Sequence, residues 1–87
     1  HKKDCLVYSA GSNGDFSFEM HLKETLPHCE IHTFDMNLYQ CPQNVCEFHQ
    51  VKFGNPEQDH SSKDWKTVVQ QLNHTQRQID IFKIDIE

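Results

Sequence analysis

This 87-residue sequence predicts an α/β fold: a Rossmann-like three-layer sandwich on a mostly parallel sheet, strand order 3-2-1-4, truncated after its fourth strand. Three observations predict it. Short apolar runs alternate with amphipathic stretches; the runs read in order as strand, helix, strand, loop, strand, helix, strand; and glycine or acidic residues stand at the strand ends. Right-handed crossovers place cover on both faces of the sheet. The doubly wound order follows when the first two crossovers go one way and the last goes the other. Residues 1–87 are then part of one domain, because a chain this short buries only about 60% of its unfolded surface and supports a thin core.

The first strand is Cys5-Leu6-Val7-Tyr8-Ser9-Ala10, a compact apolar run that stops at Gly11. Asp15 is placed to cap a helix whose Phe18, Leu22 and Leu26 recur every four residues, and Pro27 ends it. Cys29 to Phe34 alternates and ends at Asp35, giving the second strand. Met36 to Val45 contains Pro42 and two asparagines and reads as loop. Cys46 to Val51 forms the third strand, with Phe53 extending it. Ser61 or Ser62 is the expected N-cap of the clearest helix, in which Trp65, Val68, Val69 and Leu72 form the i, i+3, i+4, i+7 stripe of a helix lying on a sheet. Ile79 to Ile86 is rich in isoleucine and suits the interior of a parallel sheet.

Composition excludes several functions. A formal charge of −5 without a Lys/Arg cluster argues against binding to a nucleic-acid backbone. No apolar run approaches the roughly 18 residues that span a bilayer, and no signal-peptide core follows His1-Lys2-Lys3-Asp4. Protonating all seven histidines would move the charge from −5 to about +2, so pH sensitivity is expected, with several histidines solvated at the surface. The four cysteines form no C-x-x-C pair, so no metal site is expected. Cys5, Cys29 and Cys46 open apolar runs and read as small buried hydrophobes, while a Cys41–Cys46 disulfide is the alternative in a secretory setting.

In doubly wound sheets, ligands bind beyond the carboxyl ends of the strands at the switch point, here between the first and fourth. Gly11-Ser12-Asn13-Gly14-Asp15 follows the first strand, where glycines permit a tight turn and a close backbone approach. Asp35 ends the second strand 24 positions after Gly11, near the spacing of about 20 for an acid that accepts bonds from ribose hydroxyls. Asp85 and Glu87 crowd negative charge at the end of the fourth strand, which destabilises unless the acids are hydrogen-bonded, metal-bound or facing a cation. Asp80, at the other end, reads as structural. The loop has only Gly11 and Gly14 and lacks the G-x-G-x-x-G of an NAD-binding turn.

The blocks Cys5–Glu19, Cys29–Asp35 and Ile79–Glu87, the last an I-D-x-x-K-I-D-x-E pattern, resemble the methyltransferase-like domain family that includes methyltransferase-like protein 24 and is related to FkbM-type methyltransferases. The resemblance implies a SAM-dependent methyltransferase domain of which this is the N-terminal, SAM-binding half. It implies that Gly11, Ser12, Asn13 and Gly14 meet the methionine part of SAM, that Asp35 meets the ribose, and that Asp85 lies near the transferring methyl as a cofactor contact; a hydroxyl acceptor would also need a general base, for which Asp85 is the candidate. Family domains continue past the last motif, so the acceptor pocket is expected beyond Glu87, the acceptor is undefined, and the chain alone is expected to be inactive. Ala10 stands where relatives carry a bulkier Phe. A secreted or Golgi-lumenal location follows from the resemblance and from the Asn73-His74-Thr75 glycosylation sequon. The rival reading is a non-catalytic interaction module that self-associates through an exposed 79–86 edge.

Overall fold

Strand β1, Leu6–Ala10, is buried at every position, because it has a strand neighbour on each edge and side-chain layers on both faces. The structure is a computed structural model and describes residues 4–85. Around β1 lie α1 (Ser17–Thr25), β2 (Glu30–Asp35), β3 (Glu47–Gln50), α2 (Trp65–Gln71) and β4 (Ile81–Ile84). All strand pairs are parallel and the order is β3-β2-β1-β4, as the sequence predicts. In register, Leu6 faces Glu30 and Ala10 faces Phe34, while Val7 faces Ile81.

Period-two alternation divides β1 between two cores. Leu6, Tyr8 and Ala10 join Phe34 and Val68, with Trp65, Val69 and Leu72 of the predicted helix stripe packed against them. Val7 joins Cys5, Cys29 and Ile31 on the other face, against Phe18 and Leu22 of α1. Full burial of Leu6 or Phe34 contributes about 1.5–3 kcal/mol each.

The helix ends differ from expectation by local polar chemistry. Phe16, not Asp15, occupies the N-cap of α1; Asp15 instead accepts from the Ser17 backbone N–H at 3.0 Å and from its hydroxyl. These bonds, the hydroxyl's first, hold the Asp15 carboxyl below its usual range. Leu26 falls past the last turn and is exposed, so the stripe stops at Leu22. In α2 the cap is Asp64, which accepts from Thr67 N at 2.8 Å, while Ser62 is buried beside Asp59. The C-terminus closes with Asn73 N–H donating to Gln70 O and His74 N–H to Val69 O. This is a Schellman motif with Asn73 in the left-handed region at φ 62°.

One expectation is corrected. Cys5 and Cys29 are not thiols: in-register pairing of β1 and β2 sets the residues before each strand side by side, and they form a disulfide. Cys46 bonds Cys41 across the Pro42 loop. Several histidines are solvated as expected, His21, His28 and His60 being exposed, while His32 and His74 are buried and His49 is half-buried. Among the described residues β4 pairs with β1 alone, the edge place that the order 3-2-1-4 gives it, and Phe82 and Ile84 are exposed. Ile86 and Glu87 lie outside the described residues. Asp80 is structural, accepting the Leu6 N–H at 2.9 Å.

Candidate functional site

At the end of β1 the chain turns through Gly11, at φ 87°, whose N–H donates to Phe34 O at 2.8 Å. Asn13 follows at φ 51° and Gly14 at φ 82°. The Asn13 N–H donates to Asp35 Oδ2 at 2.8 Å, and Asp35 Oδ1 accepts from Asn37 N at 2.9 Å. One nearly buried carboxylate therefore clasps the loop after β1 to the loop after β2. Each of its oxygens carries two lone pairs, so acceptor capacity remains after these two bonds. Ser12 is buried and its carbonyl takes the Asp15 N–H, closing the turn.

Above these strand ends lies a cavity of about 570 Å³, within the ~300–1,000 Å³ usual for small-molecule sites. Gly11, Ser12, Asn13, Asp35 and Asp85 all line it. Gly14 does not; it turns toward Tyr39, whose ring would lie 3.0 Å from a Cβ there, and the Tyr39 hydroxyl donates to Asn13 Oδ1 at 3.3 Å. The exposed Asp85 is held beside Gly11 by its N–H bond to Ala10 O at 2.9 Å. Glu87 lies outside the described residues. The cavity is not confined to the switch point between β1 and β4, for it runs across β2 to Val51, Lys52 and Phe53 after β3.

The residues after β3, with Met36, were missed as site residues by sequence reasoning. A lone lysine between apolar residues carries no motif, and Phe53 reads as strand. Asp15, Asp35 and Asp85 set three carboxylates on the lining against Lys52, whose ammonium pairs with Asp59 at 2.5 Å. Hydrogen bonds from Lys52 first, then Ser61, hold Asp59 well below the usual carboxylate range. The site is thus electronegative. Outside that lining, Glu19 of α1 is fully buried, a placement also missed from the sequence, with Oε2 accepting from the Thr33 hydroxyl at 2.8 Å and Oε1 without a partner among the described residues. Its signal was available: Glu19 lies three residues before Leu22, on the face that packs.

A family model described as a methyltransferase domain matches residues 1–87. The chain belongs to that methyltransferase domain family. No curated protein and no solved structure matches this methyltransferase domain. Its parallel sheet, glycine turn and strand-end acid meet at one cavity, the place where an α/β sheet of this winding holds a ligand.

Proposed function

We propose that residues 1–87 are the SAM-binding part of a SAM-dependent methyltransferase domain of the methyltransferase-like, FkbM-related kind. The single observation that carries this reading is the position of Asp35, clasped by the glycine loop and on the lining of the cavity, with lone pairs left for a ribose diol. The lining fits the cofactor in three further respects. Gly11 lets the backbone approach the methionine part; Met36, Val51 and Phe53 supply apolar surface for a purine; and the acidic balance suits a ligand bearing an ammonium and a sulfonium.

When bound, SAM supplies a methyl group activated for in-line displacement. The protein's part is alignment and exclusion of water. Asp85, exposed on the lining next to Gly11, is the residue placed to take a proton from a hydroxyl acceptor. Two disulfides and an exposed Asn73 in the sequon support an oxidising compartment, secreted or Golgi-lumenal.

Calorimetric titration tests the reading. Heat is expected with SAM or its demethylated product, and Asp35→Ala is expected to weaken binding by about 10- to 100-fold, the loss of hydrogen bonds to a charged group. No heat with either compound would sink it. The alternative, a non-catalytic module, is favoured by the exposed Phe82 and Ile84 on a strand paired on one edge among the described residues. It expects no heat, and association of a second copy through β4, seen as a dimer by light scattering at high micromolar concentration.

A further inference from the structure

β2 and β3 each begin with the same short pattern, Glu30-Ile31-His32 and Glu47-Phe48-His49. Period-two alternation puts the Glu and His of each strand on one face, and the parallel register sets His32 opposite Glu47. The result is a cluster on the α2 side of the sheet, toward the amino ends of the strands and away from the cavity. Its core is a triangle of donor atoms. His32 Nδ1 lies 2.8 Å from His49 Nε2, His49 Nε2 lies 3.0 Å from Glu47 Oε2, and His32 Nδ1 lies 3.4 Å from Glu47 Oε2.

We propose that His32 Nδ1, His49 Nε2 and Glu47 Oε2 form a zinc-binding site that pins the edge strand β3 to β2. Tetrahedral zinc with bonds of about 2.0–2.1 Å holds its donors about 3.3 Å apart, so the triangle matches one face of the tetrahedron after adjustments of a few tenths of an ångström. Imidazole and carboxylate are zinc's usual hard-to-borderline donors.

The surroundings orient the ligands. His32 Nε2 lies 2.6 Å from Glu30 Oε2, and a carboxylate only accepts, so His32 carries its proton on Nε2 and presents the Nδ1 lone pair to the triangle. This is the carboxylate–histidine–metal arrangement that fixes ring and tautomer in metal sites. Glu30 is fixed in turn by Arg77 Nη1 at 3.0 Å on its other oxygen. Without an ion, His49 Nε2–H donates to His32 Nδ1; with one, that proton is exchanged through solvent to His49 Nδ1, both imidazoles stay neutral, and the ion with the Glu47 carboxylate carries a net charge of about +1. Glu47 is 65% exposed at its side chain, so solvent reaches the carboxylate that completes the triangle.

Two neighbouring donor groups are set aside. Glu30, His32 and His74 also converge, but there Glu30 is already neutralised by Arg77 and His74 Nδ1 lies 2.6 Å from the Tyr8 hydroxyl. Cys5, His28 and Cys29 converge as well, but both sulfurs are spent in the disulfide.

The test is zinc titration of the tag-free, disulfide-intact chain after chelator treatment, followed by calorimetry, thermal melting and X-ray absorption. One zinc per chain is expected, with a raised Tm and two nitrogens and one protein oxygen at about 2.0–2.1 Å. Glu47→Gln, at an exposed position that leaves the core intact, and His49→Gln are each expected to weaken binding at least 10-fold. His60→Gln, on a distant surface loop, is expected to leave it unchanged. No binding at 100 µM zinc, or binding that survives Glu47→Gln and His49→Gln while the variants keep their circular dichroism, would overturn the proposal.

Discussion

The backbone N–H of Asn13 donates to the Asp35 carboxylate at 2.8 Å, so the loop after β1 takes its shape from a side chain at the end of β2. This bond joins the sheet's central strand to the rim of the cavity. It also makes Asp35 both an architectural and a ligand-facing group. Asp35→Ala is expected to leave the Asn13 and Asn37 amides without acceptors, at a cost of about 1–3 kcal/mol each where they stay dry. Faster hydrogen exchange at both amides, measured without ligand, checks it; unchanged exchange at Asn13 would contradict the clasp.

Gly14 tests the shape of the same loop independently. At φ 82° any L side chain is strained by roughly 1–2 kcal/mol, and a new Cβ would stand 3.0 Å from Tyr39 Cε1. Gly14→Ala is therefore expected to destabilise the chain by about 1–3 kcal/mol in urea unfolding. Repeating the change in a Tyr39→Ala background should recover only the contact part, leaving the backbone penalty. Full recovery would mean that the left-handed turn is not required.

The fold was legible because its signals are local. Four apolar runs, a Trp65-Val68-Val69-Leu72 stripe and Gly11 are each visible within a few residues, and right-handed crossovers restrict how they assemble. Asp35 was legible for the same reason: it ends a strand at a familiar distance from a glycine turn. What escaped depends on residues distant in sequence. His32, His49 and His74 converge only once β2, β3 and the end of α2 are placed, so composition alone read them as solvated. Cys5 and Cys29 escaped because each matches a buried hydrophobe, and only strand register shows that they adjoin. Lys52 and Met36 reach the cavity from loops without periodicity.

Burial first, and the nearby His32 charge second, push His49 and His74 below the usual histidine range. Glu47 and Glu30 oppose the shift, and Arg77 adds to it at His74. A histidine whose folded pKa is depressed binds its proton more readily when unfolded. Its contribution is thus present above the unfolded pKa near ~6.5 and is lost as pH falls from there through the folded values. Thermal melts of the chelator-treated chain are expected to show Tm constant from pH 8 to 7 and falling between pH 6.5 and 5. His49→Gln should make that decline shallower, and an unchanged slope would contradict the assignment.

The Cys5–Cys29 bond ties together the starts of two adjacent strands, where Glu30 N–H also bonds Cys5 O at 2.8 Å. A cross-link spanning 24 positions removes unfolded-state entropy equivalent to about 3.5 kcal/mol, whereas the Cys41–Cys46 link, spanning 5, removes about 2 kcal/mol. A thin core makes the first figure decisive, since domains of this size have only a few kcal/mol in total. The paired change Cys5→Ala with Cys29→Ala is therefore expected to leave the chain largely unfolded at 37 °C. Cys41→Ala with Cys46→Ala, which opens only the short loop ahead of β3, should lower Tm and still fold. Equal losses from the two pairs, measured by urea titration, would show that loop length does not govern their effect and that strand registration is secured elsewhere.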